Sequence, residues 1–278
     1  MGLSIHTNFA SLTTQNQLNS TNKMLGTAMQ RLGTGLRINS AADDAAGLQM
    51  ATRLQSQSSG QKVGMRNAQD AVSMMQTAEG AMDEMTNIVQ RMKDLATQGA
   101  NGTNNADDLS AMNKEFGELQ KELKNITDNT TFGGTNLLKT KFAAAVDFQV
   151  GGKSAEKVSV DVKDDLKAVT DVTVLAAPAT ALDTQANAAT AMGNMDTLLD
   201  NIGKVRSAFG ANINRLEHTV NNLSNMKENT DMANGRIMDA DFAQESTNMT
   251  KNQMLMQAGM SVLSNSNQMT GMVTSLLR

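Results

Sequence analysis

The sequence predicts a mainly α protein built of long helices with coiled-coil seams and one small β-hairpin region. Three observations carry this expectation. Proline occurs once in 278 residues, while methionine occurs 22 times. Few breakers and many straight-chain apolar residues favour long helices. Apolar residues also recur at alternating steps of three and four over several long stretches, which is the spacing of a heptad seam. A single region switches to strict alternation.

The first helix is carried by Leu18, Leu25 and Leu32, repeating at seven and joined by Met29 and Leu36. Its other faces are Asn, Gln, Ser and Thr rather than Lys and Glu. Such a helix gains little from charged pairs and does not persist alone in water, so it needs a partner. A glycine-punctuated joint follows in RLGTGLRINSAADDAAGLQMATRL, from Arg31 to Leu54. Gly33 and Gly35 are expected to end the first helix. Ser40 is expected to cap the next, with Asp43 and Asp44 in its first turn, where the helix dipole favours negative charge.

The clearest seam comprises Ala68, Ala71, Met75, Ala78, Met82, Met85, Val89, Met92 and Ala96, widened by Met74, Ala81, Ile88 and Leu95. A second runs through Leu109, Met112, Phe116, Leu119, Leu123 and Ile126, and TDNTTFGG marks its stop. A third comprises Met195, Ile202, Phe209, Leu216 and Leu223, with Leu199, Ile213 and Val220 on an adjacent row. These predict three long helices packed lengthwise. Between the second and third, AAAVDFQVGG and KVSVDV alternate around GGKSAE and predict a hairpin. DVTVL is expected to add a strand before Pro178, and AAPATALDTQANAATA reads as a low-complexity surface connection or helix start. The last helix carries Leu255, Val262, Met269 and Leu276 at sevens, with Met256 and Leu263 alongside.

Composition narrows the function. Lys and Arg number 24 against 28 Asp and Glu, a balance without the basic face that phosphate neutralisation needs, so nucleic acid is not an expected partner. Aromatics are 3%, all Phe, which disfavours stacking platforms and aromatic-lined pockets. The chain has no cysteine and therefore neither disulfides nor thiolate chemistry. No run of about 18 apolar residues predicts a membrane span, and the start MGLSIHTNFASLTTQNQ lacks a cleavable secretion signal. His6 and His218 have no ligand-spaced partners, and there is no H-E-x-x-H. No cofactor or metal is expected, and with no convergent titratable set the chain does not read as an enzyme.

The runs quoted above from 31–54, together with RNAQDAVSMMQTAEGAMDEM, IVQRMKDLATQGANGT and TFGGTNLL, resemble the N-terminal half of bacterial flagellin. GANINRLEHTVNNLSNMKENT, RIMDADFAQE, NQMLMQAGMSVLSNSNQ and the final SLLR resemble its C-terminal half. The resemblance covers about four-fifths of the chain and is weakest over 140–190, where the outer domains of longer flagellins are missing; the form is short, as in lateral-type flagellins.

The resemblance implies a subunit of the flagellar filament: extracellular, exported unfolded by a type III route, and self-assembling into a helical polymer for motility. A hook–filament junction protein, which shares the terminal pattern, is the alternative. Residues 1–33 and 238–278 would form a terminal coiled-coil core domain, 34–46 a spoke, and 47–237 an inner bundle with the hairpin at about 140–175. The filament-core interface would comprise Leu18, Leu25, Met29, Leu32, Leu255, Val262, Met269 and Leu276. The motif QRMKDLAT at 90–97 resembles the patch gripped by a vertebrate Toll-like receptor, which singles out Gln90, Arg91, Leu95 and Glu115 either for that contact or for contact between subunits. Other implied partners are the flagellar cap, hook–filament junction proteins and an export chaperone at the C-terminus. The tail VTSLLR resembles the end recognised by inflammasome sensors, but Thr274 stands where Leu is common, and packing of Leu276 and Leu277 is the favoured reading.

Overall fold

A computed structural model of the chain describes residues 8–170 and 182–276, with side chains described as far as Met269. The expected strand at DVTVL and residue His6 lie outside the described residues. Six α-helices and two antiparallel strand pairs are seen among those described: α1 Phe9–Thr34, α2 Ala45–Gly99, α3 Ala106–Asn129, β1 Thr131–Phe132, β2 Thr135–Asn136, β3 Val146–Gln149, β4 Lys157–Val160, α4 Lys163–Thr170, α5 Gln185–Met238 and α6 Phe242–Leu276. A single π turn, Leu137–Lys141, follows β2. The chain divides into two compact units, one formed by Gln57–Glu228 and the other by Met1–Ser56 with Asn229–Arg278.

The 57–228 unit is organised by its seams. All nine residues of the 68–96 seam are at most 2% exposed. Facing them are Met112, Phe116 and Leu123 of α3, and Met195, Ile202, Phe209 and Leu216 of α5, all buried in the same cluster. A continuous apolar row with no polar member buries about as much area as helices can offer one another, so this seam dominates the unit's stability. The helices extend beyond their seams, to 55 residues in α2 and 54 in α5.

The hairpin forms where alternation predicts it. Val146 pairs with Val160 and Gln149 with Lys157, which turns Val146, Val158 and Val160 into the core. Its loop closes on α2. A Cβ built on Gly64 would stand 2.1 Å from the Val150 carbonyl oxygen, so only a glycine admits the loop backbone there.

Three features were not legible in the sequence reading. The stop TDNTTFGG continues as a tight hairpin, β1–β2, whose two turn residues Gly133 (φ 58°) and Gly134 (φ 80°) both take left-handed conformations. A two-residue turn of this hand matches strand twist and requires such residues. The π turn then buries Leu137, Leu138 and, at its end, Phe142, whose ring lies 4.9 Å from Phe209 at 58°. Helix α4 adds Leu166 and Val169 to the core. Asp128 pairs with Lys124 of its own helix and with Lys139 of the π turn. These two ammonium groups hold its carboxyl below the ordinary range.

In the other unit the joint differs from expectation at Gly33 and Ser40, and also at Asp43 and Asp44, which precede α2 instead of lying in its first turn. Gly33 lies inside α1, and Gly35 alone ends the helix, at φ 72° with its N–H on the Arg31 carbonyl. Ser40 does not cap α2. Asp44 does, its Oδ1 accepting from Gly47 N–H at 2.8 Å. Ser40 and Asn39 are instead held by Asp43, whose Oδ2 accepts from the backbone N–H of Ser40 (2.9 Å) and Asn39 (3.1 Å) and from Ser40 Oγ (3.0 Å). Those donors, led by the Ser40 amide, hold the Asp43 carboxyl below its ordinary value. A carboxylate can satisfy a tight loop or a helix end; here adjacent aspartates divide the two tasks.

Candidate functional site

Helix α1 is started by Asn8, whose Oδ1 accepts from Ser11 N–H, and it packs along α6. The pairing is antiparallel. Asn8 Nδ2 donates to the Ser266 carbonyl at 3.0 Å and Ser11 Oγ to Asn267 Oδ1 at 3.0 Å near the start of α1, while Arg31 near its end reaches Glu245 at 3.0 Å. Where α1 gives way to the joint, the returning chain lies beside it. Arg37 N–H donates to the Met238 carbonyl (2.6 Å) and Ala240 N–H to the Gly35 carbonyl (2.9 Å), with Leu36 bridged to Asp239. The joint is therefore two-ply, and its return strand was not singled out in the sequence. Asp241 caps α6, accepting from Ala243 and Gln244 N–H.

On α1 the face turned to α6 steps three and four through Ser11, Thr14, Leu18, Thr21, Leu25, Ala28 and Leu32, all buried or half-buried. On α6 the covered positions are Glu245, Met249, Asn252, Met256, Gly259, Leu263 and Ser266, again stepping three and four. Both rows are heptad seams. Half of the α6 seam is polar or small. Thr21, Glu245, Asn252 and Ser266 are buried, at 2–8% exposure. At Gly259 the helices come close, and a Cβ there would meet Leu18 Cδ2 at 2.7 Å and push that side chain aside.

The expected interface residues fall into two groups. Leu18, Leu25 and Leu32 lie in this intrachain seam. Met29, Leu255, Val262 and Met269 point away from it, 45–54% exposed, and the side chain of Leu276 lies outside those described. The row that is most apolar in the sequence is thus left uncovered by the chain itself. Phe9, Leu12, Met24, Met254, Met260 and Phe242 are also exposed, and so much apolar surface on one unit marks an interaction surface.

The second set lies on the 57–228 unit. Arg91 Nε and Nη2 both donate to Glu115 Oε1, at 3.0 and 2.7 Å, tying α2 to α3. Gln90, Arg91 and Glu115 are exposed, whereas Leu95 is 3% exposed and belongs to the core. Structure therefore brings three of these four to the surface and places the fourth beneath them. Nearby, Lys93 pairs with Asp196, and Arg206 with Glu79 (3.1 Å) and Asp83 (2.9 Å). Sequence patterning did not single these pairs out, because they link helices distant in the chain. His218 is exposed, and among the described residues no three His, Cys, Asp or Glu side chains gather as metal ligands. No helix among them is long and apolar enough to cross a membrane.

A chain with terminal helices paired in this manner matches the bacterial flagellin N-terminal helical region over residues 5–143 and the C-terminal helical region over 192–277. The chain belongs to the bacterial flagellin family. It is 35% identical to Flagellin A of Vibrio anguillarum, with both chains covered in full. That alignment is 379 positions long against 278 residues here, so the relative carries sequence that this flagellin lacks. It is 42% identical to a flagellin of Halalkalibacterium halodurans over 90% of this chain and 91% of the other. Among solved structures, Bacillus cereus flagellin matches with a TM-score of 0.50 at 35% identity, covering 57% of this chain and 88% of that one. A flagellar hook-associated protein from Vibrio parahaemolyticus shares the fold, with a TM-score of 0.56 at 15% identity over 71% and 100% of the two chains. This flagellin is a structural subunit of the flagellar filament, a self-assembling helical polymer outside the cell that serves motility.

Proposed function

We propose that copies of this flagellin join in the filament core through the outward row Met29, Leu255, Val262 and Met269, continued by Leu276. Leu18, Leu25 and Leu32 act one step earlier, holding α1 on α6 within each copy. The observation that carries this reading is the exposure of Leu255, Val262 and Met269, seven residues apart on α6, whose other seam is already used. Contacts between successive copies that do not close into a ring generate a helix. On this reading 1–33 with 238–278 is the core domain, 34–46 the spoke and 47–237 the inner domain, with no outer domain; the subunit performs no chemistry.

The exposed trio Gln90, Arg91 and Glu115, supported from below by Leu95, is a contact row between neighbouring inner domains. The same surface on the free subunit suits the Toll-like receptor. The flagellar cap and hook–filament junction proteins meet the terminal helices at the two ends of the polymer, and an export chaperone covers the apolar C-terminal row before assembly.

The test is the paired change Leu255→Asp and Val262→Asp in the full chain, followed by seeding with wild-type filament fragments. The variant is expected not to extend the seeds, while unfolding of its 57–228 unit by urea is unchanged. Seed extension at the wild-type rate overturns the assignment. The analogous paired change Arg91→Ala and Glu115→Ala tests the second row by the same assay and by binding of the receptor ectodomain.

A further inference from the structure

Buried and exposed methionines lie mostly on different helices, although Met50 on α2 and Met226 and Met232 on α5 are exposed as well. Met75, Met82, Met85 and Met92 are at most 1% exposed inside the 57–228 unit. Met24, Met29, Met254, Met260 and Met269, all on α1 and α6, are 44–59% exposed. The latter lie outside the seam that joins those helices, where Met249 and Met256 are half-covered. A thioether is oxidised in proportion to its access to the oxidant, and conversion to the sulfoxide changes a flexible apolar side chain into a polar one.

We propose that the exposed terminal methionines form an oxidation site that governs entry into the filament, rejecting a subunit oxidised before assembly while leaving its fold intact. The inference rests on the assembly surface proposed above. The reactant is a peroxide. The sulfur attacks one oxygen of hydrogen peroxide and the O–O bond breaks. An S–O bond forms, the sulfur losing two electrons, and the second oxygen leaves as water. Met29 and Met269 stand on the outward row, where a sulfoxide must enter an apolar contact with another copy carrying a strong acceptor that finds no donor, and burying such a group is unfavourable. Within the free subunit the same oxygen points to water and disturbs neither seam. Once copies have assembled, the row is covered and the peroxide no longer reaches it. Enzymatic reduction of both sulfoxide epimers, with a dithiol oxidised to a disulfide and water released, restores the thioether.

The experiment uses the full-length monomer, hydrogen peroxide, and seeds of untreated filament. Peptide mass spectrometry follows each methionine, light scattering follows seed extension, and far-UV circular dichroism follows folding. Sulfoxide is expected at Met24, Met29, Met254, Met260 and Met269 well before Met75, Met82, Met85 and Met92. Extension is expected to slow about tenfold or more with the unfolding midpoint unchanged, and methionine sulfoxide reductases are expected to restore it. Changing the five exposed methionines to Leu keeps the volume, and that variant is expected to extend seeds equally with and without peroxide. Preformed filaments are expected to keep Met29 and Met269 reduced. Equal oxidation of the core methionines, undiminished extension by the oxidised chain, or failure of the reductases to rescue it would overturn the inference. An untreated chain that cannot extend seeds overturns the assembly surface and this inference together; an untreated chain that extends them no faster than the oxidised one overturns this inference alone.

Discussion

The two units of this flagellin are both built from heptad seams, yet they use them in opposite ways. In the 57–228 unit the most apolar rows face inward, and every member of the 68–96 seam is buried. In the terminal unit the seam between α1 and α6 is filled with Thr21, Asn252, Gly259 and Ser266 among its leucines and methionines, and the most apolar row of α6 faces outward. The first arrangement maximises the stability of a single copy. The second leaves that stability low and reserves the apolar area for association, since area already buried within a copy adds nothing when copies meet. How apolar a row is does not tell which way it faces. What decides is whether its partner belongs to the same molecule.

The contrast can be broken hardest at the inner core. Phe209→Ala removes a fully buried ring and its contact with Phe142, and should destabilise the 57–228 unit by about 3–5 kcal/mol. The measurement is urea unfolding of the monomer by circular dichroism; a loss below about 1 kcal/mol would mean that the seam is not the main support. Next comes Gly64→Ala, whose new methyl would meet the Val150 carbonyl. It should cost about 1–3 kcal/mol through overpacking, with faster amide exchange in β3 and β4. The comparison is sharpened by Asn252→Leu, which gives the terminal seam an apolar residue where it now buries an amide. It should stabilise the α1–α6 pair by about 1 kcal/mol, seen as slower amide exchange in those helices and no change in α2.

Surface charge should matter least. Arg91→Ala removes the fork to Glu115, but both side chains are about half exposed, so the inner unit should lose less than about 1 kcal/mol in urea. The joint gives the smallest signal, a local one. The Asp43 carboxyl is depressed below its ordinary 3.8, so the loop is held at all pH values above that. The hold is lost only as the pH falls through the lower value of the folded state. Carboxyl resonances followed by NMR should show Asp43 titrating below 3.8, and Asp43→Asn should remove the pH dependence of the Ser40 amide shift. A midpoint at or above the ordinary value would contradict the three donors assigned to it.

Much of this was legible in the sequence for a physical reason. Where a seam is uniformly apolar, periodicity and burial coincide, and the rows at 68–96, 109–126 and 195–223 mark core positions in the structure. The hairpin at 146–160 followed from alternation in the same way. Features that depend on close approach were not legible. Nothing in the hydrophobic pattern of α6 distinguishes the row containing Gly259 and Ser266 as the one that meets α1, because small residues contribute space rather than apolar area. The Asp44 cap was misplaced to Ser40 because the segment contains several capping residues, and the loop geometry chooses between them. The turn at Gly133–Gly134, the π turn and α4 were missed because each is only a few residues long and makes its contacts mainly with distant parts of the chain.

The polar members of the terminal seam have one more consequence. A purely leucine row can slide one turn along another and still find company. A pair that must set Arg31 against Glu245 at one end and Asn8 against Ser266 at the other has a single alignment in which both sets of partners meet. What the seam gives up in strength it returns as fidelity, so that α1 closes on α6 in one register.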